Sequence, residues 1–233
     1  MNSGASFADE PECVAVIADM VESRELTSDQ RRTAQLTFAA FLKDLNAKFR
    51  QAVVARFVIT IGDECQGILH DTRVLPDLLW RFDEFESRQL RVGIGRGALY
   101  TPVGRDAINI DGPALHSARA AIERAKKERL LGGVFAGFGD DHDLVFNGFA
   151  RLLHHHRSAL SEQQRAVVAY LRTGLNQTQT AEKMGVTKQA VSSYAARAGW
   201  EAYNEGEQAF KAALGLLGPI DAGDNDEARR HRA

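Results

Sequence analysis

Two aspartates stand where a cation could be held. Asp19 ends the apolar run "VAVIAD" (14–19), and Asp63 lies in "GDECQG" (62–67), between the apolar stretches "ARFVIT" and "ILH". A Gly-Asp pair between two such stretches is a hairpin signal, so Asp63 belongs on the rim of a strand pair. If the first strand and the hairpin lie side by side, the two carboxylates approach each other and repel. Partial burial then costs several kcal/mol unless a cation, a proton or a hydrogen-bond network compensates. A divalent ion with oxygen ligands is a natural compensator, and Mg²⁺ commonly takes one or two carboxylates and fills its shell with water and phosphate oxygens. Asp63 also suits a turn with no ligand at all, because Asp bonds its own backbone there. Glu64 reads as solvent-facing.

The elements that would position these residues can be read in order. "VAVIAD" is β-branched and continuously apolar, as a strand buried on both faces would be. Thr27 and Gln30 have capping-box spacing and open a helix with Phe38, Phe41, Leu42, Leu45 and Phe49 on one face. Two strands flank Gly62-Asp63, then Pro76 starts a helix carrying Leu78, Leu79, Phe82 and Phe85. "LRVGIGRGALY" alternates apolar and small residues as an inner strand, Pro113 opens a third helix, and "GGVFAGFG" is a last short strand. The expected class is α+β: a ferredoxin-like βαββαβ palm over 12–139, with an antiparallel sheet and its helices on one face.

A connecting helix is expected over 140–160, and the triplet His154 to His156 reads as its solvated end. Adjacent helical residues point about 100° apart and cannot converge on one metal. From Ser161 the pattern changes to short helices divided by single glycines. A capping box, Ser161 with Gln164, opens this part, and Ala181, Gly185 and Val191 have the spacing of a helix-turn-helix. An all-α helix-turn-helix domain is therefore expected over 161–217. Its second helix would present Thr187 as N-cap with Lys188, Gln189, Ser192, Ser193 and Arg197 toward double-stranded DNA. Six lysines and arginines against five glutamates over 161–213 leave only +1, too few cations for tight binding by one unit, so a homodimer on two half-sites is expected. Trp200, Tyr203, Phe210 and Leu214 form a stripe that would cover the three-helix unit or seal that dimer. The tail 218–233 has almost no apolar content and reads as disordered.

The chain has 233 residues and a formal charge of −2, with 44% hydrophobic and 26% charged residues, so bulk charge announces neither nucleic acid nor membrane. Its polar, acidic start lacks the layout of a secretory signal, no apolar run reaches the roughly 18 residues that span a bilayer, and two cysteines make no disulfide framework. A cytoplasmic location with reduced thiols is expected.

The segments "VAVIADMVESREL", "FVITIGDECQGIL", "LRVGIGRGALY" and "INIDGPALHSAR" together resemble the SatD family of bacterial proteins, and more distantly the palm of class III nucleotidyl cyclases. In those cyclases two aspartates hold two metal ions that bind a nucleoside triphosphate and activate a hydroxyl for attack on the α-phosphate. The resemblance puts Asp19 and Asp63 at the metal positions, with Mg²⁺ or Mn²⁺. It makes the helix start at Gly112 and Pro113 a phosphate rest with free backbone N–H groups, and Arg24 a further phosphate contact.

Departures accompany the match. Ile59 stands where a base-reading lysine is found, and His116 with the one-residue-displaced Arg119 stand where the cyclases carry an asparagine and an arginine. These two are the candidate catalytic residues, and such losses cost on the order of 10²–10³ in rate each. The resulting expectation is a DNA-binding, transcriptional-regulator-like protein whose palm binds metal and a nucleotide or related phosphorylated molecule. The alternative is a nucleotidyl cyclase or nucleotidyltransferase.

Overall fold

A computed structural model describes residues 12–217. The expected disordered tail, 218–233, lies outside the described residues, as does the segment before Glu12. The sheet has five strands: β1 (Glu12–Met20), β2 (Val53–Ile61), β3 (Glu64–Leu69), β4 (Leu90–Ala98) and β5 (Val134–Ala136), in the order β2-β3-β1-β4-β5. β1 pairs antiparallel with both β3 and β4, β2 pairs antiparallel with β3, and β5 joins β4 in parallel. The first four strands have the antiparallel order of a ferredoxin-like core. β1 is buried from Cys13 to Met20, as its unbroken apolar run demands.

Two helices cross one face, α1 (Ser28–Lys48) and α2 (Leu75–Asp83). Thr27 and Gln30 form the capping box that starts α1, and Phe38, Leu42 and Leu45 face the sheet. Val14, Val16, Ala18 and Met20 meet this layer, while Cys13, Ala15 and Ile17 turn to the other face. There the expectation of helices on one face needs correction. α3 (Pro113–Glu128) covers the opposite face through Ala114, Leu115, Ala118 and Ile122. The small residues of β4 show why it fits: a Cβ on Gly95 would lie 2.1 Å from the Ala118 nitrogen, and one on Gly93 2.5 Å from the Ala118 oxygen. Glycine at these positions lets a helix backbone rest directly on a strand.

The remaining helices are α4 (Asp140–Ser158), α5 (Glu162–Arg172), α6 (Gln177–Met184), α7 (Lys188–Arg197) and α8 (Trp200–Gly215). α4 buries Phe146, Ala150 and Leu153 in the same core as α1 and α2. α8 returns to that core, with Tyr203, Phe210 and Leu214 at 3% exposure or less. The aromatic stripe therefore closes within the chain: Phe210 stacks on Phe149 at 5.4 Å, and Tyr203 meets Trp80 of α2. α5, α6 and α7 share a smaller core of Val167, Ala181, Val191 and Ala195.

Candidate functional site

The hairpin turn sits against the end of β1. The Met20 N–H donates to the Asp63 carbonyl at 3.3 Å, and Gln35 of α1 donates to the Gly62 carbonyl at 3.0 Å. Gly62 takes φ +62°, a turn conformation that glycine adopts freely. Register places Glu64 opposite Asp19 on one side and Arg91 on the other. The acidic residues of the first strand and the hairpin thus share one rim.

Their side chains meet different partners. Asp19 is 7% exposed and follows the strand alternation toward α3, where its Oδ2 lies 3.5 Å from Lys126 Nζ and 3.8 Å from Arg91 Nη1. Its Oδ1 is buried and has no hydrogen-bond partner among the described residues. Burial raises the Asp19 carboxyl above its ordinary pKa, Lys126 and Arg91 pull against that, and the charge of Asp63 adds to the rise. Asp63 accepts a hydrogen bond from the Ser23 hydroxyl and borders a cavity of about 220 Å³ lined in part by Ser23, Arg31 and Gln35. The two carboxylates therefore feel each other electrostatically, while Asp19 is held from the α3 side and Asp63 by the turn that follows β1.

Glu64, expected to face solvent, does not. Arg119 grips it with two bonds of 2.5 and 2.7 Å, which raises the Arg119 pKa further. Arg119 and Lys126, two turns apart on α3, thus place cations over Glu64 and Asp19. Lys126 and Arg91 were absent from the sequence reading. Arg91 could have been found only from the β1–β4 register, and Lys126 only once α3 was known to cross the rim.

At the start of α3, Gly112 has its N–H bonded to Asp111 Oδ1 at 2.8 Å and Pro113 has none to offer, so this turn carries a carboxylate of its own. His116 Nε2 lies 2.8 Å from the same Asp111 oxygen, in the open. Arg24 falls in the short 3₁₀ turn Ser23–Glu25, and its side chain lies outside the described part. Ile59 is half-buried on β2 and packs against the main core. Among the described residues no group of three or more His, Cys, Asp or Glu is placed to hold a metal. Both cysteines are free and buried, and burial pushes the Cys13 thiol up to about 11.

In the C-terminal part, α6 ends at Gly185 (φ +65°) and α7 begins three residues later, capped by the Thr187 hydroxyl on the Ala190 N–H. Val191 and Ala195 are buried, while Thr187, Lys188, Gln189, Ser192, Ser193 and Arg197 are all exposed. Arg197 bonds Ser193 and lies 5.4 Å over the Tyr194 ring. The histidine triplet is not the solvated end expected of it. His154 pairs with Asp83 at 3.1 Å, His156 bonds the Ala198 carbonyl at 2.6 Å, and only His155 is exposed.

The fold and rim define a mixed α+β protein with a ferredoxin-ordered sheet, acidic residues at the end of β1 and its neighbouring hairpin, and a helical C-terminal part. The model of the SatD family matches residues 13–203, and the chain belongs to that family. No curated protein matches the chain. Among solved structures, the catalytic core of a rhodopsin-guanylyl cyclase with converted specificity, in complex with ATPαS, is similar at 18% identity and a TM-score of 0.37. The match covers 49% of this chain and 72% of that one. A regulator of polyketide synthase expression from Bifidobacterium adolescentis is similar at 15% identity and a TM-score of 0.26, over 92% and 82%. Likenesses this weak carry no argument. No helix among the described residues is long and apolar enough to cross a membrane.

Proposed function

We propose that this SatD family protein is a DNA-binding regulator that reads duplex DNA with α7 of a helix-turn-helix formed by α6 and α7. The observation that carries this reading is the division of α7: Val191 and Ala195 are buried, and Lys188, Gln189, Ser192, Ser193 and Arg197 face outward with no carboxylate partner among the described residues. A surface helix presenting donors and cations in this way suits the major groove, where Gln can read adenine and Lys or Arg can meet guanine or phosphate. With only +1 over 161–213, two copies on two half-sites supply the phosphate contacts that one copy lacks. Titrating labelled duplex at low salt tests this, and absence of binding there removes it.

A second reading concerns the palm, and the orphaned, buried Oδ1 of Asp19 favours it. A group of this kind costs free energy unless a ligand satisfies it. Asp19 faces α3 and Asp63 the cavity beside α1, so for the two to hold one divalent ion, Mg²⁺ or Mn²⁺, Asp63 would have to leave Ser23; the ion would then supply charge for a nucleotide or related phosphorylated molecule. Lys126 already supplies one compensating cation to Asp19, which argues for a single ion. With Arg119 engaged by Glu64 and Ile59 unable to donate, the palm suits binding better than nucleotidyl cyclase or nucleotidyltransferase turnover. Occupancy would alter DNA binding only as far as the ligand prefers one state of the protein. Pyrophosphate release from an NTP with Mn²⁺, lost in Asp63→Ala, would establish the enzyme instead.

A further inference from the structure

A cavity of about 150 Å³ opens away from the rim, where the end of α2, the start of β4 and the loop before β5 meet the last turns of α4 and the first of α5. One wall is apolar: Phe85 and Leu90 are buried and Leu131 is half-buried. The opposite wall carries Asp83, His154, Arg157 and Arg165.

The charges on that wall do not balance. Asp83 is fully engaged, with His154 Nδ1 3.1 Å from Oδ1 and Arg157 Nε donating to Oδ2 at 2.7 Å. Burial alone would raise its carboxyl, but these partners outweigh it and hold Asp83 below the ordinary range. Arg157 is 3% exposed; its Nη1 donates to the Tyr203 hydroxyl at 3.2 Å, and its Nη2 ion-pairs with Asp83 and has no further acceptor. Arg165 is half-buried, donates only to the Arg157 carbonyl at 3.1 Å, and has no carboxylate partner among the described residues. Two guanidiniums thus face one carboxylate, an excess of positive charge on this wall. Partly buried cations lacking an anion are costly, and a ligand that brings the missing charge is favoured.

We infer that this cavity binds a small monocarboxylate with an apolar body, its carboxylate on Arg165 beside Arg157 and its hydrocarbon against Phe85, Leu90 and Leu131. Guanidinium forks match carboxylates in two parallel bonds, and the facing wall removes apolar surface from water. A cavity holding on the order of ten water-sized volumes admits a molecule of benzoate size and is too small to enclose a nucleotide. Inorganic phosphate would leave the apolar wall unused. This site stands apart from both the DNA and the metal readings.

The test uses the full chain, ¹⁵N-labelled, titrated at constant ionic strength with benzoate, benzyl alcohol or inorganic phosphate. Benzoate is expected to saturate with a Kd of about 1 mM or tighter, shifting amides around Gln89, Leu131, Ser158 and Arg165, and the other two probes to bind at least about tenfold more weakly. Arg165→Gln is expected to weaken benzoate about tenfold or more with the rest of the spectrum unchanged, and Leu131→Trp, which fills the cavity, to abolish binding. Absence of saturation, shifts centred elsewhere, unaltered affinity in Arg165→Gln, or phosphate matching benzoate would each overturn the inference.

Discussion

The palm rim and the outer face of α7 treat polar side chains in opposite ways. At the rim, Asp19 meets Lys126 and Arg91, Glu64 is clasped by Arg119, and Asp63 accepts from Ser23. On α7, Lys188, Gln189, Ser192 and Ser193 stand exposed, and Arg197 reaches no further than Ser193. A surface whose charges satisfy one another is arranged for its own stability, with the lone Asp19 Oδ1 as the exception. A surface that leaves donors open on a rigid, locally packed helix is arranged for something outside the chain.

The largest effect is expected where the two regions are joined. Arg172 of α5 bonds Glu207 of α8 at 2.8 and 2.9 Å and Asp77 of α2 at 2.8 Å, and stacks 4.2 Å over Trp80. Arg172→Ala leaves Glu207, at 2% exposure, without its charge partner, and a loss of about 3–5 kcal/mol in urea unfolding is expected. Next is Gly95→Ala, whose Cβ meets the α3 backbone. A loss of about 1–3 kcal/mol or more should release α3 and with it Lys126 and Arg119, while the small α5–α7 core is not touched directly.

Smaller effects separate the two surfaces by function. Lys188→Ala and Arg197→Ala should leave stability within about 0.5 kcal/mol of the parent, as exposed sites do, yet each should weaken duplex binding several-fold in anisotropy titrations. If they destabilise the fold instead, α7 is a packing element and the comparison fails. The smallest expected effect is at Asp19. Its raised folded-state pKa means the native state keeps the proton to higher pH than the unfolded chain, so stability falls as pH rises from about 4 through the raised value. That destabilisation is complete only above the raised value. Asp19→Asn should therefore gain stability relative to the parent as pH rises from about 4, with the difference fading toward pH 3 in urea midpoints.

Much of the architecture was legible in local patterns. Thr27 with Gln30 and Ser161 with Gln164 mark helix starts that the structure caps as expected, and the unbroken apolar run from Val14 marks a central strand. What could not be read was the side on which elements pack. The apolar stripe of α3 says that one face is covered, not which face of the sheet covers it, and the glycines of β4 read as small inner residues rather than as the bed for a helix backbone. The buried ion pairs were invisible for a related reason. Arg157 with Asp83 and Arg172 with Asp77 join residues 74 and 95 positions apart, and a lysine or arginine in a helical pattern otherwise reads as solvated. At the site, the meeting of Asp19 and the hairpin followed from adjacent strands, whereas the grip of Arg119 on Glu64 depended on the placement of α3.

The central claim is that α7 meets DNA. Its most direct test is the affinity of the full chain for a labelled random-sequence duplex, measured by anisotropy across a salt series, beside the Lys188→Ala/Arg197→Ala double variant. The expected result is binding at low salt whose log–log slope becomes shallower by about 3.6 in the double variant, about 0.9 for each of the four phosphate contacts that two copies lose. Superimposable curves for the two proteins, or a parent that does not bind at any salt concentration, would contradict it.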